Sequence, residues 1–348
     1  LENPSQKALK KTLVINMYKV KFAIPAGSLA KATFEILNRS GYKVSGQERT
    51  YRPTINDPNI ELKILRPQEI PVFVGEGLQD VGITGQDWIK ETGADVEVLQ
   101  NLEYGRIRLV IAIPKFLSTN SMSELMEDVW SKGKNFRVST EYLNIASEYI
   151  KNKQAYRERF GKSEPMIVTP WWRKGKNPQA KIFLSFGATE AKPPENSDCI
   201  MDVTETGSTL DANNLKIIED VMRSSAVLIA NKSSLQDLQK KEKIYDILTL
   251  LKGVVDGSKR IHIFVNVRKA NLEKLLGELP ALRNPTVAPL ADEDWCSVNT
   301  IVEKDCLINL LPKIRKLAQG IVVYEPRQVL ALDEITRRER NKCLRNSK

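Results

Sequence analysis

The sequence predicts an α/β protein of more than one domain, a core of strand–loop–helix units followed by a small ferredoxin-like domain. Three observations carry this. Short apolar strands lead through glycine-bearing loops into helical periodicity, the pattern of a largely parallel sheet. That pattern restarts at Leu109, which implies a second lobe. Beyond residue 259 the elements follow the order βαββαβ, small enough to fold as a separate domain. A length of 348 residues suits two or three domains.

Taken in order, Tyr18–Ile24 alternates as a strand, and Pro25-Ala26-Gly27-Ser28-Leu29 turns it into a helix to about Arg39, with Ser28 as the natural N-cap. Ile60–Leu65 is a second strand, followed by Arg66-Pro67-Gln68-Glu69-Ile70-Pro71 and a short helix. Asp80-Val81-Gly82-Ile83-Thr84-Gly85-Gln86-Asp87-Trp88 ends a strand and opens another helix. These loops lie at the carboxyl ends of strands, where ligands of such sheets gather. In the second lobe, strands are expected at Leu109–Pro114, Phe136–Ser139, Met166–Thr169 and Ile182–Phe186, with a helix near Asn144–Arg159. Residues 170–181 read as a basic loop whose Trp171 and Trp172 suit packing against the lobe better than contact with a nucleotide. The small domain follows as strand Arg260–Val267, helix Asn271–Leu279, strands Val287–Pro289 and Val298–Val302, helix Cys306–Leu317 and strand Ile321–Tyr324. In its first strand Ile261, Ile263, Val265 and Val267 share one face, and His262, Phe264 and Asn266 the other.

The net charge of +10 raises nucleic acid as a partner, but residues 1–16 supply +2 and residues 333–348 supply +3, half of the excess. The remainder is spread over a large body and suits anionic substrates as well as DNA. The expectation is no nucleic acid. Cys199, Cys296, Cys306 and Cys343 show no CxxC pairing, which argues against a zinc site and a dense disulfide framework. No run approaches the ~18 apolar residues of a membrane helix, and residues 1–16 lack the apolar core of a secretory signal. The expectation is a cytoplasmic protein that does not engage a membrane. Met17 stands directly before the first convincing strand, so residues 1–16 are set aside as an extension.

One stretch organises the rest: Cys199-Ile200-Met201-Asp202-Val203-Thr204-Glu205-Thr206-Gly207-Ser208-Thr209-Leu210. An apolar run ends at Asp202, and Leu215, Ile218, Val221 and Met222 then recur at helical spacing, so the polar residues fill a strand-to-helix turn. Gly207 lets the backbone approach a ligand, Thr206, Ser208 and Thr209 supply hydroxyls, and the helix N-terminus offers unpaired N–H groups, a setting for phosphate. Asp202 and Glu205 repel phosphate but accept hydrogen bonds from a sugar diol beside it. Together they suggest a ribose phosphate. The same pattern also suits a plain helix cap by Ser208 or Thr209, with Gly207 closing the turn.

Other chemistries drop out. His262 is the only histidine, and its place in mid-strand suits a structural role. GxSxG is absent, Gly75-Glu76-Gly77-Leu78-Gln79-Asp80 fails GxGxxG at its last glycine, and Gly253–Lys259 misses the P-loop. What remains is electrostatic: two lobes positioning phosphorylated substrates, with magnesium bridging phosphates and no covalent intermediate.

The motifs named above, with Gly187-Ala188-Thr189-Glu190-Ala191 and Pro285-Thr286-Val287-Ala288-Pro289-Leu290-Ala291-Asp292, occur in the order seen in ATP phosphoribosyltransferase, the first enzyme of histidine biosynthesis. The resemblance runs from about residue 18 to 330 and is to the long form. It implies a two-lobed core of periplasmic-binding-protein type plus a C-terminal ferredoxin-like (ACT-like) domain that binds histidine. The lobes would be 17–107 with 232–255, and 108–231, and the regulatory domain 256–332 would precede a basic tail, 333–348.

The resemblance further implies that ATP and phosphoribosyl pyrophosphate (PRPP) meet between the lobes with Mg2+, and that adenine N1 displaces pyrophosphate. Thr204 and Thr206–Thr209 would hold the 5-phosphate. Asp202 and Glu205 would hold the ribose hydroxyls, and Glu190 the same sugar or its metal. Gly27, Ser28, Arg66, Asp80, Gly82 and Thr84 would form the ATP side, and Asn266 and Thr286 the histidine site. It implies a homo-oligomer, dimers assembling into hexamers. The chain departs from the family at Ala26, where Lys is usual, which removes a point charge near the phosphates and favours a second reading, a non-catalytic binder. A third reading, nucleic-acid binding through the tails, predicts steeply salt-dependent affinity.

Overall fold

The computed structural model describes residues 18–280, 285–330 and 332, so the extension 1–16 and the tail 333–348 lie outside the described residues. The described residues group into two compact units, one of residues 18–19 with Thr33–Glu61 and those from Leu238 onward, the other of Val20–Ala32 with Leu62–Asp237. The division falls within helix Ala30–Arg39.

The unit from 62 to 237 holds the working sheets. The first has the order Ile60–Leu65, Val20–Pro25, Val81–Gly85, Ala226–Ala230, Glu97–Asn101. Val20–Pro25 runs parallel to Val81–Gly85, whereas Ala226–Ala230 is antiparallel to both of its neighbours. Val81–Gly85 is buried at every position, the signature of a strand covered on both faces. The second sheet has seven strands, in the order Arg173–Lys174, Pro165–Val168, Asn177–Leu184, Phe136–Thr140, Cys199–Thr204, Ile107–Pro114, Leu215–Ser224. Its core packs Leu109, Ile111 and Ile113 against Met122, Leu125, Trp130, Tyr156 and Met201. The chain passes between the sheets twice, at 102–106 and at Ser225. That is the layout of periplasmic binding proteins, and the expected fold class holds.

Four local expectations need correction. Residues 215–224 form a strand, not a helix, and the helix after the central turn is only Ser208–Ala212. The strand slips register between Ile217 and Glu219 and again between Asp220 and Met222. Each slip resets the alternation of faces, so its apolar residues fall at spacings that imitate a helix. Ser28 lies inside a 3-10 turn, Gly27–Leu29, that runs directly into helix Ala30–Arg39, so it is not that helix's N-cap. The helix expected near 144–159 is two, Leu143–Lys151 and Gln154–Phe160, separated where Lys153 turns extended.

Residues 170–181 are largely strand. Arg173–Lys174 folds back on Pro165–Val168, and Asn177 opens the next strand. Thr169 Oγ1 accepts from the backbone N–H of both Trp171 and Trp172, tightening the turn and placing both rings at its tip. Trp171 is 72% exposed and meets Phe186 edge-on with 5.8 Å between centroids, so the tryptophans do not pack into the lobe.

In the other unit, the predicted βαββαβ domain is present. Its sheet has the order Thr286–Pro289, Trp295–Glu303, Arg260–Arg268, Ala318–Tyr324, with antiparallel pairing throughout. Ile261, Ile263, Val265 and Val267 are buried against Leu275, Leu310 and Ile314 of its helices. His262, Phe264 and Asn266 lie on the opposite face, where the His262 and Phe264 rings are 4.4 Å apart. Helix Leu238–Ser258 carries the C-terminal segment, with Val329 N–H donating to the Gly253 carbonyl at 2.9 Å.

Candidate active site

A cavity of about 410 Å3 lies at the carboxyl ends of strands from both large sheets. Two loops of the first sheet form one side. The loop after Val20–Pro25 brings Ala26, Gly27, Ser28 and Leu29, and the loop after Ile60–Leu65 brings Arg66, Pro67 and Gln68. The Ala26 N–H donates to the Leu65 carbonyl at 2.8 Å, tying the two loops together. Across from them stand Glu141 and Tyr142, then Gly187 to Glu190, then Asp202 and Val203.

Asp202 ends the buried run of Cys199–Thr204. Its Oδ1 accepts the Val203 N–H at 2.7 Å. Burial pushes its pKa up to about 6, and the nearby negative charges of Glu190 and Glu141 add to the rise. A carboxylate held this close to neutrality in a concave site is a mark of function. The loop that carries Glu190 is bent by Ala188, a residue in the left-handed region at φ 48°. Strain of this kind gathers at ligand sites. The bend is secured where Ser185 Oγ donates to the Gly187 carbonyl at 3.2 Å and Thr189 donates to Ser185 Oγ at 3.1 Å.

Next to Asp202 the chain makes the hydroxyl-rich turn. Gly207 takes φ 87°, which a side chain would strain, and its N–H donates to Thr204 Oγ1 at 2.8 Å. Thr206 and Ser208 hydroxyls lie 3.0 Å apart on the exposed side, and Thr209 is exposed beside them. Thr204 is buried and shapes the turn from beneath. Glu205 lines a different cavity, with Arg106, Arg108 and Arg223.

The candidate residues therefore divide. Gly27, Ser28, Arg66, Glu190 and Asp202 line the main cavity; Asp80, Gly82 and Thr84 do not. Asp80 is buried, accepting from the Lys21 N–H at 2.8 Å and the Ser234 hydroxyl at 2.6 Å. At Gly82 a Cβ would lie 2.6 Å from Ile70, so the glycine lets helix Ile70–Gly75 seat against the strand. Thr84 donates to the Pro67 carbonyl at 2.8 Å and so fixes the loop that holds Arg66 and Gln68. In the small domain, Asn266 pairs with Ser297 and Gly320, and Thr286 is exposed opposite Asn299.

Sequence reasoning missed Gln68, Asp87, Glu141 and Tyr142. Asp87 is buried and accepts from Tyr142 at 2.7 Å and from Ser224 at 2.5 Å. Burial and Asp87 push the Tyr142 hydroxyl well up, so it stays a donor. The Trp88 ring stacks on Tyr142 at 4.4 Å. Glu91, one turn further, accepts from the N–H groups of Asn144 and Ile145 at 2.9 Å each, capping helix Leu143–Lys151. A signal for Glu141 and Tyr142 existed. They directly follow strand Phe136–Thr140, at the kind of strand end that already singled out other loops.

A family model described as ATP phosphoribosyltransferase matches residues 66–253, and one described as the HisG C-terminal domain matches residues 258–327. An ATP phosphoribosyltransferase of Solibacter usitatus is 36% identical over 311 residues, covering 88% of this chain and 97% of the relative. One of Koribacter versatilis is 36% identical over 318 residues, covering 90% and 99%. Among solved structures, the ATP phosphoribosyl transferase (HisG:HisZ) complex from Thermotoga maritima superposes with a TM-score of 0.52 at 24% identity, covering 68% of this chain and 98% of that one. The last shares the fold.

Fold, site and relatives define a pentosyltransferase. The chain belongs to the ATP phosphoribosyltransferase family, in its long form, whose reaction is the first step of histidine biosynthesis.

Proposed function

We propose that the chain transfers the phosphoribosyl group of PRPP to N1 of ATP. The observation that carries this reading is Asp202, a half-buried carboxylate that lines the cavity opposite Gly27, Ser28 and Arg66 and stands two residues before the hydroxyl-rich turn, which itself does not line that cavity. The turn from Thr204 to Thr209 would receive the 5-phosphate on its hydroxyls and N–H groups. Asp202 would accept from the ribose hydroxyls, and Glu190 stands on the same wall. Gly27, Ser28 and Arg66 would face ATP, with Asp80, Gly82 and Thr84 supporting those loops from behind. Glu205, which lines a neighbouring cavity together with Arg106, Arg108 and Arg223, would steady the turn rather than touch the sugar. The N1 lone pair forms the new bond to the anomeric carbon as the bond to pyrophosphate oxygen breaks, and the adenine proton is lost afterwards.

Among the described residues no three metal-ligating side chains gather. Mg2+ needs only one or two carboxylates when phosphates supply the rest, so Asp202 and Glu190 suit it. Such an ion would neutralise charge on the departing pyrophosphate. The carboxylates contribute position: they hold the sugar so that its anomeric carbon faces the adenine.

We extend the proposal to feedback by histidine in the small domain through Asn266 and Thr286, and to dimers assembling into hexamers. We propose further a cytoplasmic enzyme that engages neither membrane nor nucleic acid; among the described residues no helix is long and apolar enough to cross a membrane. The test is incubation with ATP, PRPP and Mg2+, with pyrophosphatase to draw the reaction forward, and detection of phosphoribosyl-ATP by mass. Absence of product would leave the non-catalytic reading suggested by Ala26. Histidine that neither binds nor inhibits would remove the regulatory part.

A further inference from the structure

The cavity that Glu205 lines carries the opposite charge to the main one. It measures about 480 Å3, shares Ile107 with the main cavity, and is lined by Arg106, Arg108 and Arg223, with Glu205 as its only acidic side chain. Strand register brings the cations together. Arg108 of Ile107–Pro114 stands directly opposite Arg223 of Leu215–Ser224 on one side and opposite Thr204 of Cys199–Thr204 on the other. Opposed residues of antiparallel strands present their side chains to one face, so two arginines lie side by side next to the residue that opens the hydroxyl-rich turn. Like charges so placed repel, and the chain relieves only part of the repulsion. Asp220 pairs with Arg108 at 3.0 Å and Glu103 with Arg106 at 3.6 Å, both from outside the cavity wall. Among the described residues Arg223 has no partner. Asn101, on the same wall, has its Oδ1 occupied by the Glu103 N–H at 2.8 Å and the Ser225 hydroxyl at 3.0 Å, which leaves its amide nitrogen as a further donor.

We propose that this cavity binds a polyphosphate chain, its oxygens held by Arg106, Arg108 and Arg223. Guanidinium forks match phosphate oxygens in pairs, and a single phosphate would leave most of the volume empty. The main cavity sets Asp87, Glu141, Glu190 and Asp202 against Arg66 and so repels phosphates, which makes the adjoining arginines the favourable place for them. Three sources present this chemistry: the triphosphate tail of ATP, the pyrophosphate of PRPP, and free condensed phosphate. The site stands on its own geometry, and only the choice among sources rests on the transfer reading given above.

The test is calorimetric titration of the full chain with tripolyphosphate. Arg223→Gln is expected to weaken binding about tenfold or more, the worth of one charge-assisted contact. Since Arg223 is exposed and without a partner, its replacement leaves the fold's own contacts intact, and Arg106→Gln, expected to weaken binding about threefold or more, gives an independent reading. Arg52→Gln removes the same charge from an exposed ion pair with Glu61 and should change the affinity less than about twofold. A parent chain that does not bind tripolyphosphate overturns the inference, as do Arg223→Gln and Arg106→Gln variants that lose no more affinity than Arg52→Gln. The source is read from paired ligands. A loss for ATP but not AMP assigns the cavity to the nucleotide tail, and a loss for PRPP but not ribose 5-phosphate assigns it to the pyrophosphate. If neither pair separates while tripolyphosphate binding falls, the occupant is free condensed phosphate. Ribose 5-phosphate weakened as much as tripolyphosphate would make this a site for a single phosphate ester and overturn the polyphosphate assignment. Product formation is a separate readout: a chain that makes no phosphoribosyl-ATP fails the transfer reading, while tripolyphosphate binding still decides the role of the arginines.

Discussion

The hydroxyl of Tyr142 donates to Asp87 Oδ2 across 2.7 Å, joining a residue that follows a strand of the seven-stranded sheet to one at the start of helix Gln86–Thr92 beside the five-stranded sheet. Ser224 completes the arrangement from the second crossover. A buried carboxylate with two hydroxyl donors is stable only while both remain. Tyr142→Phe keeps the ring that stacks on Trp88 and removes one donor, so it should lower unfolding free energy by about 1.5–3 kcal/mol. Tyr142→Ala should cost more, since the stack goes too. Urea titration of both variants measures the difference; an unchanged Tyr142→Phe would show that the hydroxyl contributes nothing, and equal losses in the two variants that the ring contributes nothing.

Asp202 sets a pH signature. Its carboxyl is raised from 3.8 to about 6, so it is protonated below that value and can accept from sugar hydroxyls with both oxygens only above it. The kcat/KM profile should fall on the acid side with an apparent pKa near 6, and Asp202→Asn should be slower throughout and lack that limb. The stability consequence has a definite sign. A raised pKa means the folded state binds the proton more tightly, so stability from this group is full below pH 3.8 and is lost as pH rises through 6. Asp202→Asn, which cannot ionise, should therefore be more stable than the parent at pH 7.5 by roughly 1–3 kcal/mol and lose that advantage by pH 4. Melting curves at the two values check this.

How much of this was legible beforehand depends on where the information lies. The small domain was readable because Ile261, Ile263, Val265 and Val267 alternate without interruption, and an unbroken period of two has one interpretation. Strand Leu215–Ser224 was not, since its two register slips break the period. The turn around Gly207 was readable because glycine and hydroxyl residues carry their own geometry. Asp80 and Thr84 were placed in the right motif and given the wrong neighbours: a sequence marks a loop at a strand end but not which of its side chains turn inward to brace it. Glu141 and Gln68 gained their meaning only from each other, 73 residues apart.

Thr84 makes that bracing role testable. Thr84→Val keeps the shape and removes the hydrogen bond to the Pro67 carbonyl, which is worth about 1 kcal/mol. Arg66 and Gln68 ride on the freed loop, so the KM for ATP should rise about fivefold while the KM for PRPP changes little. Steady-state kinetics with each substrate varied in turn separates the two. A rise confined to PRPP would place Thr84 on the wrong side of the site.

Ala26 lines the cavity, at the position where the family resemblance leads one to expect lysine. Its surroundings are strongly unbalanced, with Asp87, Glu141, Glu190 and Asp202 on the walls against Arg66 alone. Two anionic phosphate esters must nevertheless enter. Ala26→Lys would add a cation facing those carboxylates, with two consequences that can be read separately. Substrate affinity or rate should rise by about one to two decades, the worth of a charge-assisted contact of about 1.5–3 kcal/mol. The same charge favours the ionised form of a nearby carboxyl, so the acid limb assigned to Asp202 should move below pH 6. If the limb moves and the rate does not, the lysine reaches the carboxylates but not the phosphates. If the rate rises and the limb stays, the new charge acts on the phosphates alone, and Asp202 lies beyond its reach.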